Sequence, residues 1–243
     1  MILIEPLYLV VALLVIMTGS ALQSMSGLGL AVIASPILVL INPSFLPAPI
    51  LALGCILSFL NCARYRHILY FRNIQTALLA RIPGSLLGVY LLMILPASYF
   101  SICFSLFIIF SVMLTYRHIN LGQCSRNLII AGFFSGLMGT TTSVGGPPIA
   151  LVYQNSNVNT ARAELGLFFL VGTLISLGLL WGSGNISYEQ IQLTLPLIPA
   201  VFIGFGLSIW LDKYFKQLYF KLLISITSLA SCSVMLLKTI FAE

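Results

Sequence analysis

The chain has 243 residues, of which 60% are apolar and 7% charged, against about 25% charged in an ordinary soluble domain. Eleven basic and five acidic side chains cannot cover a 26.5 kDa globule, and a mean hydropathy of +1.10 makes lipid the expected solvent. A soluble enzyme or binding module is excluded, and so is a nucleic-acid-binding protein, because the net charge of +6 is scattered in short groups between apolar runs.

A spanning helix takes about 20 predominantly apolar residues. In chain order, apolar stretches predict membrane segments at about 7–41 (interrupted), 47–62, 76–95, 98–116, 127–153 (interrupted), 164–182, 192–211 and 217–240. Asn42-Pro43-Ser44, Pro96-Ala97-Ser98, Gly182-Ser183-Gly184-Asn185 and Asp212-Lys213 read as the turns between them. Lipid offers no partners to open backbone groups, and these runs lack the alternation of barrel strands. The expected fold is therefore an all-α helical bundle of about eight segments, one membrane domain with no soluble domain. The first run, Pro6 to Leu22, lacks a basic leader and is not expected to be a cleaved signal peptide. Cys55, Cys62, Cys103, Cys124 and Cys232 show no CxxC spacing and read as small core residues. His67 and His118 stand beside Arg66 and Arg117 in basic loops facing headgroups. Neither a metal site nor a cofactor is expected.

The two interrupted segments match. An offset of 112 lays Gly27 on Gly139, Pro36 on Pro148, Ile37 on Ile149 and Gly54 on Gly166. An offset of 116 lays Ile82-Pro83-Gly84 on Ile198-Pro199-Ala200 and Gly88 on Gly204. The reading is a tandem duplication, residues 1–121 and 122–243. Charge then selects the orientation. With four crossings per repeat, the Lys213, Lys216 and Lys221 connection falls outside, against the positive-inside rule. If each interrupted segment is a re-entrant hairpin, each repeat crosses three times, the halves are inverted, and every basic loop lies inside. Glu189, the Pro96 turn and both termini then lie outside.

Irregular backbone at membrane depth survives only where protein or a water-filled cavity satisfies it. Both interruptions, Ser24 to Gly29 before Ser35-Pro36 and Gly136 to Pro148, are therefore candidate substrate sites. Glycine permits close approach of a ligand, and proline suits the first turn of a following helix. Pro36 and Pro148 are thus expected to mark half-helix N-termini, whose free N–H groups favour an anion. The candidate binding residues are Ser26, Gly27, Gly29, Ser35 and Pro36 in the first half. In the second they are Gly139, Thr140, Thr141, Thr142, Ser143, Gly145, Gly146, Pro147 and Pro148. Arg81, a turn inside its segment, joins them as the basic candidate, with snorkelling to the interface as its other reading. Gly54, Gly84, Gly88, Gly166, Gly204 and Gly206 read as helix-packing positions. Arg162 and Glu164 open the sixth segment and are expected to pair with headgroups or each other, a coupling role being the alternative. Asn61, Gln154, Asn155 and Thr173 are capping or access-path residues. No GxSxG, HExxH or P-loop motif occurs.

The stretch Ser26-Gly27-Leu28-Gly29 then Ser35-Pro36-Ile37-Leu38, with Gly136-Leu137-Met138-Gly139 then Gly145-Gly146-Pro147-Pro148-Ile149-Ala150, resembles the sulfite exporter TauE/SafE family of membrane permeases. The likeness runs over nearly the whole chain, including Ile82-Pro83-Gly84. It implies a multi-pass transporter of the bacterial inner membrane that moves small sulfur-containing anions such as sulfite or organosulfonates. Leu30-Ala31-Val32, where the family carries more glycine, and the hydroxyl run Thr140 to Ser143 depart from the pattern and bear on the particular substrate. The expected partners are a small anionic substrate and the lipid bilayer, with homo-oligomerisation open and nucleic acid excluded. A non-transporting membrane scaffold or accessory subunit is the alternative reading, and an embedded enzyme would need a buried nucleophile or acid pair.

Overall fold

A computed structural model describes residues 5–94 and 122–212, together with Leu106, Phe110 and Met113. Apart from these three residues, the expected segments at 98–116 and 217–240, with Arg117, His118, Lys213, Lys216 and Lys221, lie outside the described residues. Among the described residues the chain is helical and contains no strand. Five helical stretches are long and apolar enough to cross a membrane: Pro6–Ser26, Pro43–Arg64, Ile74–Ile94, Val158–Gly182 and Tyr188–Leu211.

Helix α1 (Pro6–Ser26) opens with proline in its first turn and, at about 1.5 Å per residue, is about 30 Å long, one hydrocarbon thickness. It stops because Gly27 (φ 85°) and Gly29 (φ 150°) take backbone conformations that L side chains rarely adopt. The Gly27 N–H closes the helix on the Gln23 carbonyl at 2.8 Å. Helix α2 (Leu30–Ile41) follows at once, its first amide, Leu30 N–H, donating to the buried Gln23 side-chain oxygen at 3.2 Å. Pro36 therefore lies inside α2 and does not mark its start. The glycine pair already supplies the break, so the proline merely removes one internal hydrogen bond.

Helices α3 (Ala48–Arg64) and α4 (Phe71–Ile94) complete the first half. In the second half, α5 (Ser125–Thr142) ends at Ser143, the one described non-glycine residue with positive φ (66°). Helix α6 (Gly146–Val152) then starts with Pro147 and Pro148 in its first turn. Helix α7 (Val158–Gly182) begins six residues before the expected segment, because the Asn157 side chain caps it by accepting the Asn159 N–H at 3.0 Å. Helix α8 (Tyr188–Thr194) carries a Ser187–Gln190 capping box and leads through a short turn into α9 (Ile198–Leu211).

Across the halves, α4 packs chiefly on α5, α1 on α9, and α3 on α7. The α4–α5 seam is close because glycine faces backbone. A Cβ on Gly132 would collide with the Ala77 carbonyl, and one on Gly84 with the Phe133 carbonyl. Gly132→Ala is expected to destabilise the protein by about 1–3 kcal/mol, the usual cost of overpacking, measured as a lowered melting temperature in detergent. An unchanged melting temperature would show that the seam yields.

Two sets of polar contacts mark opposite ends of the bundle. At one end, Asn42 Nδ2 donates to Glu189 Oε1 at 3.3 Å and Gln190 Nε2 to the Leu46 carbonyl at 2.8 Å. At the other, the Arg162 guanidinium meets Asp212 through Nη1 and Nη2 at 2.9 and 2.8 Å, the Met25 carbonyl through Nε at 2.6 Å, and the Tyr65 hydroxyl at 3.3 Å. Arg64 reaches the same carboxylate at 3.5 Å. The expectation that Arg162 pairs with headgroups or with Glu164 is thus corrected. It turns instead to Asp212, fifty residues on, whose turn position sets a bidentate acceptor under the guanidinium.

The Arg162 side chain is 8% exposed and that of Asp212 25%, so the pair is intermediate between surface and core. Asp212→Asn is expected to cost about 2 kcal/mol, between the values typical of exposed and buried pairs. Thermal unfolding in detergent measures this, and Asp212→Glu should recover part of the loss.

Candidate functional site

The break between α1 and α2 and the break between α5 and α6 face each other across a cavity of about 40 Å³. Gln23, Leu28, Gly29 and the first turn of α2 (Leu30 to Val32) form one wall. Ser143, Gly145 and Gly146 form another, and Ser58 of α3, Arg81 of α4, and Phe169 and Thr173 of α7 close it. At roughly 10–15 Å³ of such space per water, it has room for a few waters.

Arg81 dominates the electrostatics. Its residue is 1% exposed, and its Nε and Nη1 have no hydrogen-bond partner. No carboxylate forms an ion pair with it among the described residues. Its guanidinium lies over the Phe168 ring at 4.7 Å from the centroid, a contact that supplies at most about 2 kcal/mol. Burying a guanidinium with two of its three nitrogens unpartnered costs several kcal/mol, more than the ring contact returns. Snorkelling, the other reading of Arg81, does not describe a side chain enclosed in this way.

Two glycines shape the space around it. A Cβ on Gly172 of α7 would collide with Arg81 Cζ, Nε and Nη1, and one on Gly139 would stand 3.3 Å from Arg81 Nη2. Gly139 also lets α5 approach Gly145 of the break, where a Cβ would strike the Ser135 carbonyl oxygen. The Ser135 hydroxyl donates to the Gly145 carbonyl and ties that loop to α5.

The expected binding residues divide. Gly29, Arg81, Ser143, Gly145 and Gly146 line the cavity. Ser26 and Pro147 line a second recess of about 120 Å³, with Tyr153, Gln154 and Ser156, at the end of the bundle near the start of α7. Leu28 borders both spaces. Gly27 is the α1 cap, Gly139 a packing position against Arg81, and Ser35, Pro36 and Pro148 are buried in helices beside the lining.

Half of the hydroxyl run serves its own helix and half ties it to its neighbours. Thr141 donates to the Leu137 carbonyl at 2.9 Å and Thr142 to that of Met138 at 2.7 Å, while Thr140 pairs with Ser176 at 2.8 Å. Ser143 donates to the Pro47 carbonyl at 3.0 Å, which fixes the left-handed turn. Gln23, Ser58, Phe168 and Gly172 belong to this site and were not singled out from the sequence. Gln23 carried a signal, a lone amide in an apolar run. Thr173, expected on an access path, lines the cavity itself. Glu164 is fully buried one turn before Phe168 on α7, with the Tyr153 hydroxyl facing it.

No curated protein and no solved structure matches the chain. The family model described as sulfite exporter TauE/SafE matches residues 11–235.

Proposed function

The chain belongs to the sulfite exporter TauE/SafE family of multi-pass membrane transporters for small anions, and from that premise we propose that Arg81 and the two facing helix breaks form the anion site of a secondary permease. The observation that carries the reading is the buried Arg81 guanidinium, unpaired at Nε and Nη1, on the wall of a cavity bounded by both breaks. An anion is the ligand that offsets its cost. The first turn of α2 adds the positive end of a helix dipole, about half a unit charge. The substrate is a sulfur oxyanion such as sulfite or an organosulfonate, and the site's membrane is the bacterial inner membrane.

The two halves act as inverted repeats, residues 1–121 and 122–243. In support, α1 ends at the Arg162–Asp212 cluster and is long enough to begin at the opposite face, while the Asn42–Glu189 contact returns the end of α2 to that opposite face. The α5–α6 hairpin runs the other way: Gln123 beside α5 bonds Ser156 beside α7, and Ser143 bonds Pro47 near the Glu189 face. Arg64, Arg66, Arg126 and Arg162 then share the inner side, in keeping with the positive-inside rule. The left-handed caps Gly27 and Ser143 are 116 residues apart, the offset that also relates Gly88 to Gly204.

Alternating access follows if one repeat rocks on the other about the shared cavity. Leu28 separates that cavity from the inward recess, and Leu28 together with the Arg162–Asp212 cluster forms the inner barrier. Labelled sulfite and sulfonate flux into proteoliposomes tests the proposal. Saturable flux that requires the protein is expected, and no flux of any of these anions would overturn it.

A further inference from the structure

We infer that the Arg81 cavity selects its oxyanion by charge, accepting monoanions and rejecting dianions. The inference rests on the transport reading above and specifies which ionic form is carried. Among the described residues that line the cavity, Arg81 alone carries a charge. The other polar walls are Gln23, Ser58, Ser143 and Thr173. Two of these hydroxyls have their protons committed elsewhere, Ser143 to the Pro47 carbonyl at 3.0 Å and Thr173 to the Phe169 carbonyl at 2.7 Å. The oxygens they retain are acceptors, which repel a second negative charge. The Gln23 side-chain oxygen is engaged with the Leu30 amide, which leaves the Gln23 N–H groups and the partnerless Ser58 hydroxyl as donors to an anion, neither of them charged.

One guanidinium and a fractional helix charge neutralise one negative charge in a buried site and leave a second without a counterion. The nearest carboxylate to consider, Glu164, lies one turn before Phe168 on α7 and outside the lining. Its ionised form would oppose a dianion further, so either state leads to the same preference. Arg162, on the same helix, is engaged with Asp212 at the bundle's end.

Sulfite exchanges between hydrogensulfite and its dianion near neutral pH, whereas methanesulfonate stays a monoanion and sulfate a dianion. The test measures flux of all three into the same proteoliposomes, well below saturation, at several pH values above neutral. The expected result is that the ratio of sulfite flux to methanesulfonate flux falls about tenfold per pH unit, following the hydrogensulfite fraction. Sulfate neither crosses nor competes. Using the ratio removes any titration of the protein itself. A constant ratio, or sulfate competing as well as methanesulfonate, would overturn charge selection while leaving the transport reading intact. Failure of sulfite and methanesulfonate alike to cross overturns the transport reading, and this inference with it.

Discussion

Arg81→Met lowers anion flux by about 30-fold or more and at the same time raises the melting temperature of the protein. The two effects have one cause. Methionine keeps much of the arginine's length and apolar contact with Phe168 but carries no charge. Removing the charged partner of a desolvated ligand costs about 2–5 kcal/mol of binding, or roughly 30-fold to several thousand-fold. Without ligand, the wild-type protein instead bears a guanidinium with Nε and Nη1 unpartnered and the residue 1% exposed. Relief of that burial outweighs the lost cation–π contact, so the variant gains about 1–3 kcal/mol of stability. Flux in proteoliposomes and thermal unfolding in detergent read the two halves separately. A structural arginine would give the opposite pattern, with stability lost and flux lost only in proportion to unfolded protein.

Gly172→Leu has an effect of similar size on flux without removing any charged or hydrogen-bonding side chain. Even the first added carbon collides with Cζ, Nε and Nη1 of Arg81, so the guanidinium must leave its place against Phe168 and the cavity wall. A misplacement of about 1 Å in such a site is enough to cost 100-fold. Gly172→Ala is the milder probe, and a double-mutant cycle makes it decisive. In the Arg81→Met background, where a flexible thioether yields, Gly172→Ala should add little further loss. Equal losses in both backgrounds, measured as flux normalised to folded protein, would mean that Gly172 acts through helix packing and not through Arg81.

The sequence shows some of this design more clearly than the rest, for physical reasons. Both breaks are legible because Gly27, Gly29, Gly145 and Pro147 state their backbone role locally, without reference to distant residues. Pro36 misleads because glycine seven residues earlier already starts the helix, and a proline inside a buried helix is tolerated. Thr141 and Thr142 look like free donors in the sequence, yet within a helix their hydroxyls reach the carbonyl four residues back. Gly172 reads as one more small residue in an apolar run. Its role depends on a guanidinium ninety-one positions earlier, and so does the pairing of Arg162 with Asp212 on a contact between separate helices. Local backbone chemistry is written in short motifs, whereas the cavity's electrostatics arise only when α4, α7 and both breaks converge.

Equilibrium binding of labelled sulfite to the purified protein, wild type against Arg81→Met, tests most directly whether this convergence is the anion site. The account predicts saturable binding by the wild type, displaced by unlabelled sulfite, and its loss in the variant even though that variant is the more stable protein. Sulfite bound equally well by both would contradict it.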